Sequence, residues 1–148
     1  MPLLLTKRSA HKTSLAAWKI TEENDFFLER LNLSSGEVQA YEKMRAHRQR
    51  EWLSSRYLLH LISGDDKRRK IEKRADGKPF RVQCNRHISI SHSGNLVAAV
   101  ISERFVGVDI QNYVEKIARI QHKFISPEEK SAIPDGEELE YYLSLIHI

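Results

Sequence analysis

Cysteine is almost missing from this sequence: Cys84 is the single one in 148 residues. No internal disulfide can form, nothing points to an oxidising compartment, and no zinc site is suggested. Long hydrophobic runs are missing too. Leu3, Leu4 and Leu5 begin an apolar stretch that ends in Lys7 and Arg8, too short for a signal-peptide core or a membrane span. There is no repeat of fixed period and no low-complexity stretch. These absences describe a cytoplasmic chain with no membrane role, too short to hold two complete domains.

What is present is ordinary for a folded chain. Hydrophobic residues make up 41% and charged residues 30%, enough apolar content for a core and against disorder. The formal net charge of +4 is unevenly spread. From Glu42 to Arg81 there are 13 Lys or Arg against 6 Asp or Glu, while the remainder has 11 against 14. A local basic segment suggests an anionic partner: a phosphorylated small molecule, a nucleic acid or an acidic protein surface.

The pattern of residues predicts a strand over Ser14 to Ile20 and a short helix entered at Thr21, Glu22 and Glu23 and running through Phe27 to Leu31. Ser34 with Glu37 has the form of a capping box, and neither Gly nor Pro interrupts the chain from Val38 until Gly64, which predicts one long helix. Its buried stripe is expected to hold Val38, Tyr41 and Met44 at one end and Leu53, Tyr57 and Leu61 at the other. Arg45, Arg48, Arg50 and Arg56 flank that stripe, and Trp52 is expected in the core. Asp65 to Lys70 reads as a loop.

Between His87 and Ile110 the alternation predicts an antiparallel meander of three short strands, with turns at Ser93-Gly94-Asn95 and near Glu103-Arg104. Its parity places Ile88 and Ile90 in the core and turns Ser89 and Ser91 away. On the third strand Val106, Val108 and Ile110 share one face, leaving Asp109 outward beside Gly107, a plausible position for a metal ligand. Val114 to Phe124 reads as helical. Ser126, Pro127 and Glu129 then open a further helix, with Ser126 as N-cap and Glu129 completing a capping box.

Three pieces in order carry a resemblance: Gly77-Lys78-Pro79-Phe80, Ile88-Ser89-Ile90-Ser91-His92-Ser93-Gly94, and Val106-Gly107-Val108-Asp109-Ile110. With Arg50-Glu51-Trp52-Leu53-Ser54-Ser55-Arg56 upstream, the set resembles the Sfp-type 4′-phosphopantetheinyl transferases over most of residues 45 to 130. The resemblance implies an α+β pseudo-dimer, monomeric in the full-length family member, built from two half-domains each with a small antiparallel sheet packed by helices. The first half would span residues 1–104 and the second would begin at 105 and run to 142. The implied activity moves phosphopantetheine from coenzyme A to a serine of an acyl or peptidyl carrier protein and releases 3′,5′-ADP.

Under that resemblance Lys78 and Pro79 lie beside the adenine and phosphates of coenzyme A. Ser91 and His92 bind its phosphates, and Arg50, helped by Arg45, faces the 3′-phosphate. Asp109 holds Mg against the pyrophosphate, and His92 and Asp109 are expected to converge on one pocket. The chemistry is coherent: cationic side chains make charge-assisted hydrogen bonds to a polyanion, and Mg takes a few carboxylates plus phosphate oxygens. Glu129 stands where it could assist the metal site or proton transfer, although its cap role already accounts for it.

The chain departs from the family in two places. Gln111 replaces the usual Glu two residues after the metal Asp, so it would ligate weakly or through water. The family's Trp-x-x-Lys-Glu helix, expected after Glu140-Tyr141-Tyr142-Leu143, does not follow, so little transferase activity is expected from the chain as written. Leu143-Ser144-Leu145-Ile146-His147-Ile148 matches the translation of a transposon-based sequencing adapter and is expected to be non-native. Two alternatives stand beside the transferase: a basic nucleic-acid-binding module over Arg45 to Arg81, and a non-catalytic binder of coenzyme A or carrier protein. The nucleic-acid reading lacks stacking aromatics interleaved on strands, and no nucleic-acid partner is expected.

Overall fold

The computed structural model describes residues 3–111 and 126–128. The chain divides into two units, Met1–Ile110 and Gln111–Ile148. The first is α+β, with a small antiparallel sheet and three helices. The expected helix over Val114 to Phe124, Glu129, Glu140 to Leu143 and the final six residues lie outside the described residues. Pro127 and Glu128 are helical, directly after Ser126.

Strands β1 (Leu3–Ser9) and β2 (Thr13–Lys19) form a hairpin. The Leu3 to Leu5 run, read above only as too short for a span, is therefore a strand, completed by pairing with β2. Strands β5 (His87–Ser93) and β6 (Leu96–Ser102) form a second hairpin, and the sheet order is β1-β2-β6-β5. The β5–β6 turn holds Gly94 at φ 59°, a left-handed conformation that glycine adopts without a Cβ penalty at the first centre of a two-residue hairpin loop.

Register separates the two faces of this sheet. Ile88 pairs with Ile101, Ile90 with Ala99 and His92 with Val97, while Ala16 pairs with Ala99 and Trp18 with Val97. Those residues therefore share the face that carries the core, as the parity of Ile88 and Ile90 predicted. Trp18, Phe27, Leu31, Leu53, Leu58, Leu59, Val97 and Ile101 are fully buried, each large aliphatic side chain contributing about 1.5–3 kcal/mol. Trp18, Phe26 and Phe27 all meet Tyr57 edge to face.

Helix α1 (Asn24–Leu31) supplies Phe27 and Leu31 at i, i+4 spacing. The single long helix expected next is two helices, α2 (Ser35–Glu42) and α3 (Ala46–Ser63). The capping box at Ser34 and Glu37 is present. The break between α2 and α3 needs no Gly or Pro. Arg45 is extended, the Met44 N–H donates to the Tyr41 carbonyl at 3.0 Å, and the Gln49 side-chain amide donates to the same oxygen at 3.1 Å. A backbone acceptor orphaned by ending the helix is thus satisfied from the next one. The buried stripe differs as well: Val38 and Leu61 are exposed, while Leu58, Leu59 and Ile62 are buried.

After α3 the chain forms a two-stranded sheet, β3 (Ile71–Lys73) with β4 (Pro79–Arg81). Its turn is closed by the Gly77 N–H donating to the Arg74 carbonyl at 2.9 Å, with Gly77 at φ 83°. This is the glycine bulge of a three-residue hairpin loop, and it sets the direction of Lys78 and Pro79.

The third strand of the predicted meander does not form: residues 105–110 are irregular. Their alternation survives, since Val106, Val108 and Ile110 are half-buried while Gly107 and Asp109 are exposed. Serine hydroxyls of β5 meet two backbone N–H groups where a strand ladder would place carbonyls. Val108 donates to Ser89 Oγ at 3.2 Å and Ile110 donates to Ser91 Oγ at 3.1 Å. Among the described residues no helix is long and apolar enough to cross a membrane.

Candidate functional site

Strand β5 organises the site because its alternate side chains face opposite sides. On one side Ser91 Oγ donates to Asp109 Oδ1 at 2.8 Å while accepting from the Ile110 N–H. One hydroxyl thus holds both the carboxylate and the backbone of its carrier segment. A Cβ built on Gly107 would meet nothing within 4 Å, so the backbone two residues before Asp109 is uncrowded. On the other side His92 lies against α3, with Nδ1 at 3.3 Å from Glu51 Oε1.

The expected convergence of His92 and Asp109 on one pocket is not observed. His92 lies on one side of β5, while Asp109, in the irregular segment 105–110, is held by Ser91 on the other, and the hollow that includes His92 does not include Asp109. That hollow, about 310 Å³, lies among α3, the β3–β4 hairpin and β5, and Arg48, Glu51, Arg56, Lys73, Pro79 and His92 line it. A second hollow of about 480 Å³ lies on the other side of the hairpin, with Arg74, Lys78, Pro79, Arg86 and His87 in its wall. Pro79 belongs to both, so Lys78 lies next to the His92 hollow without lining it.

Arg50 forms an ion pair with Glu23 at 2.9 Å and lines another hollow, of about 330 Å³, with His47, Glu51, Gly94 and Asn95. Arg45 is exposed at the start of α3, where its carbonyl accepts from the Gln49 N–H. Gln111 is exposed and belongs to the second unit. Among the described residues no group of three His, Cys, Asp or Glu is gathered for a metal. An exposed carboxylate oriented by a serine suits Mg, which takes one or two carboxylates and completes its shell with water and phosphate oxygens.

Arg56 is a member of the site that the sequence reading left as a helix flank. Its guanidinium lies over the Trp52 ring at 3.6 Å and Nη1 donates to the Trp52 carbonyl at 3.3 Å. Its buried Nε has no hydrogen-bond partner. Burial pushes its pKa down to about 10, with Arg68 and Arg48 adding to the effect and Glu37 opposing it. A buried cationic donor left unsatisfied is costly. The visible signal was the i, i+4 spacing of Trp52 and Arg56, which lets an arginine stack on an aromatic ring.

The serine clasp can be tested directly. Ser91→Ala removes the acceptor for Ile110 and the donor to Asp109, and a charge-assisted bond contributes about 1.5–3 kcal/mol. Amide exchange at Ile110 should accelerate by roughly tenfold or more, with Val108, held by Ser89, changing much less. Unchanged exchange at Ile110 would show that the clasp does not hold the segment.

Compared with known protein families and with curated proteins, the chain gives no match.

Proposed function

We propose that this protein binds coenzyme A and serves transfer of its 4′-phosphopantetheine to a serine of an acyl or peptidyl carrier protein. In that reaction the serine oxygen attacks the β-phosphorus, the pyrophosphate P–O bond breaks, and 3′,5′-ADP leaves. Cationic side chains on α3, the β3–β4 hairpin and β5 bind the phosphates, and Asp109 holds Mg. Bound Mg neutralises charge on the pyrophosphate oxygens. The observation that carries this reading is the clasp from Ser91 to Asp109, which fixes a carboxylate across β5 from the basic hollow that His92 lines. Coenzyme A supplies both charges such an arrangement asks for: a pyrophosphate for the metal and a phosphate monoester for the cations. The lone Cys84 and a coenzyme A substrate fit the cytoplasm.

The reading is tested by titrating the protein with coenzyme A and with dephospho-coenzyme A, with and without Mg. Coenzyme A should bind at least about tenfold more tightly than the dephospho form, since a charge-assisted contact is worth about 1.5–3 kcal/mol. Asp109→Ala should remove the Mg-dependent part, and His92→Ala should weaken both states. Absence of binding at millimolar coenzyme A, or preference for unrelated duplex DNA with a steep salt dependence, would overturn the reading.

A further inference from the structure

Among the described residues, Glu51 is the one acid that lines the His92 hollow. Its carboxylate lies between two of the hollow's basic groups, 3.6 Å from Arg48 Nη1 and 3.3 Å from His92 Nδ1. It is no solvated surface charge: its side chain is 18% exposed, against 50% for Arg48. Burying a carboxylate costs free energy that its ion partners offset, so Glu51 is held where it is by the same groups that a ligand phosphate needs. Arg56, its guanidinium over the Trp52 ring, adds a further cation to the same wall.

We propose that Glu51 is a built-in counter-anion that competes with a ligand phosphate for Arg48 and His92, lowering affinity for the phosphorylated ligand and speeding its release. The inference rests on the coenzyme A reading above and adds an affinity-setting residue to it. Without a competing carboxylate, a hollow with Arg48, Arg56, Lys73 and His92 would hold a phosphate monoester tightly in substrate and product alike. A group bound equally well throughout a reaction gives no acceleration and delays product departure. An acid in the wall weakens the static grip, while the cations remain to steer the polyanion inward.

The test is binding of 3′,5′-ADP and of coenzyme A to the wild type and to Glu51→Gln, with dissociation rates measured by stopped flow. Glu51→Gln should bind both ligands about tenfold more tightly, mainly through slower dissociation, and the gain should shrink as salt rises. In an Arg48→Gln background the same substitution should gain only about threefold, because one contested cation is gone. A purely supporting role predicts the opposite sign, with weaker binding and a lower melting temperature. If the wild type binds coenzyme A but Glu51→Gln binds it equally or more weakly, the counter-anion role is overturned while the coenzyme A reading stands. If neither form binds either ligand, both are overturned. Glu51→Ala provides a second variant, and if both variants fold with wild-type affinity the proposal likewise falls.

Discussion

Asp65→Ala should destabilise the first unit by about 3–5 kcal/mol, the cost of stripping the partner from a buried ion pair. Asp65 follows the end of α3 at Gly64 and gathers three arginines from elsewhere in the chain. Its Oδ2 accepts from Arg81 Nη2 at 2.6 Å and Arg69 Nε at 3.2 Å, and Arg86 Nη2 lies 3.5 Å from Oδ1. Burial alone would raise the carboxyl's pKa, but Arg81, followed by Arg69 and Arg86, holds it below the usual range. Arg81 matters most because its side chain is 2% exposed. Without Asp65 that guanidinium keeps only a 3.7 Å contact to Cys84 Sγ.

The loss reaches the candidate site, because Arg81 ends β4 and ties the hairpin carrying Lys78 and Pro79 to the helix carrying Arg48 and Glu51. Urea denaturation checks the stability, and coenzyme A titration checks the site. Arg81→Met should cost less than Asp65→Ala, since an apolar side chain leaves no charge buried. The double variant should recover part of the Asp65→Ala loss. A loss below about 1 kcal/mol for Asp65→Ala would place that cluster among ordinary surface ion pairs.

How much of this was legible in the sequence depended on the range of the interaction. The capping box of Ser34 and Glu37 spans one helical turn and was readable, as was the parity of Ile88 to Ser91. The break at residues 43–45 was not, because it rests on the Gln49 side chain reaching the Tyr41 carbonyl rather than on a helix breaker. Strand β1 was missed because Leu3 to Leu5 became a strand only through pairing with β2. The strand expected at 106–110 failed for a related reason: alternation was right, but Ser89 and Ser91 hydroxyls take the two N–H groups that a ladder needs. At the site, Asp109, Ser91 and His92 were readable as motif members. Glu51 and Arg56 stood in the Arg50 to Arg56 segment, but their place in the hollow was not readable, since a helix flank and a hollow wall look alike until the hairpin and β5 close around them.

The same distinction governs the second large effect. Glu37→Gln should cost about 3–5 kcal/mol, far more than loss of a helix cap at about 1 kcal/mol. Glu37 is 7% exposed and Arg68 12%. Arg68 Nη1 and Nη2 donate to its two oxygens at 2.9 and 2.7 Å, and Arg68 Nε donates to the Leu31 carbonyl at 2.7 Å. One arginine from the loop after α3 thereby fastens α2 to the end of α1. Burial would raise the Glu37 pKa, but the Arg68 hydrogen bonds, with the Ser34 backbone and hydroxyl, bring it from 4.5 to about 2. The folded value lies below the unfolded one, so this stabilisation is complete above about pH 4.5 and is lost as pH falls toward 2. At 1.36 kcal/mol per unit it amounts to about 3 kcal/mol. Unfolding free energy measured in urea between pH 6 and pH 2 should therefore fall steeply in the wild type and less steeply in Glu37→Gln, the two curves converging at the acid end. Parallel curves would mean that the Arg68 pairing contributes nothing to acid sensitivity and that α2 is held by its apolar contacts alone.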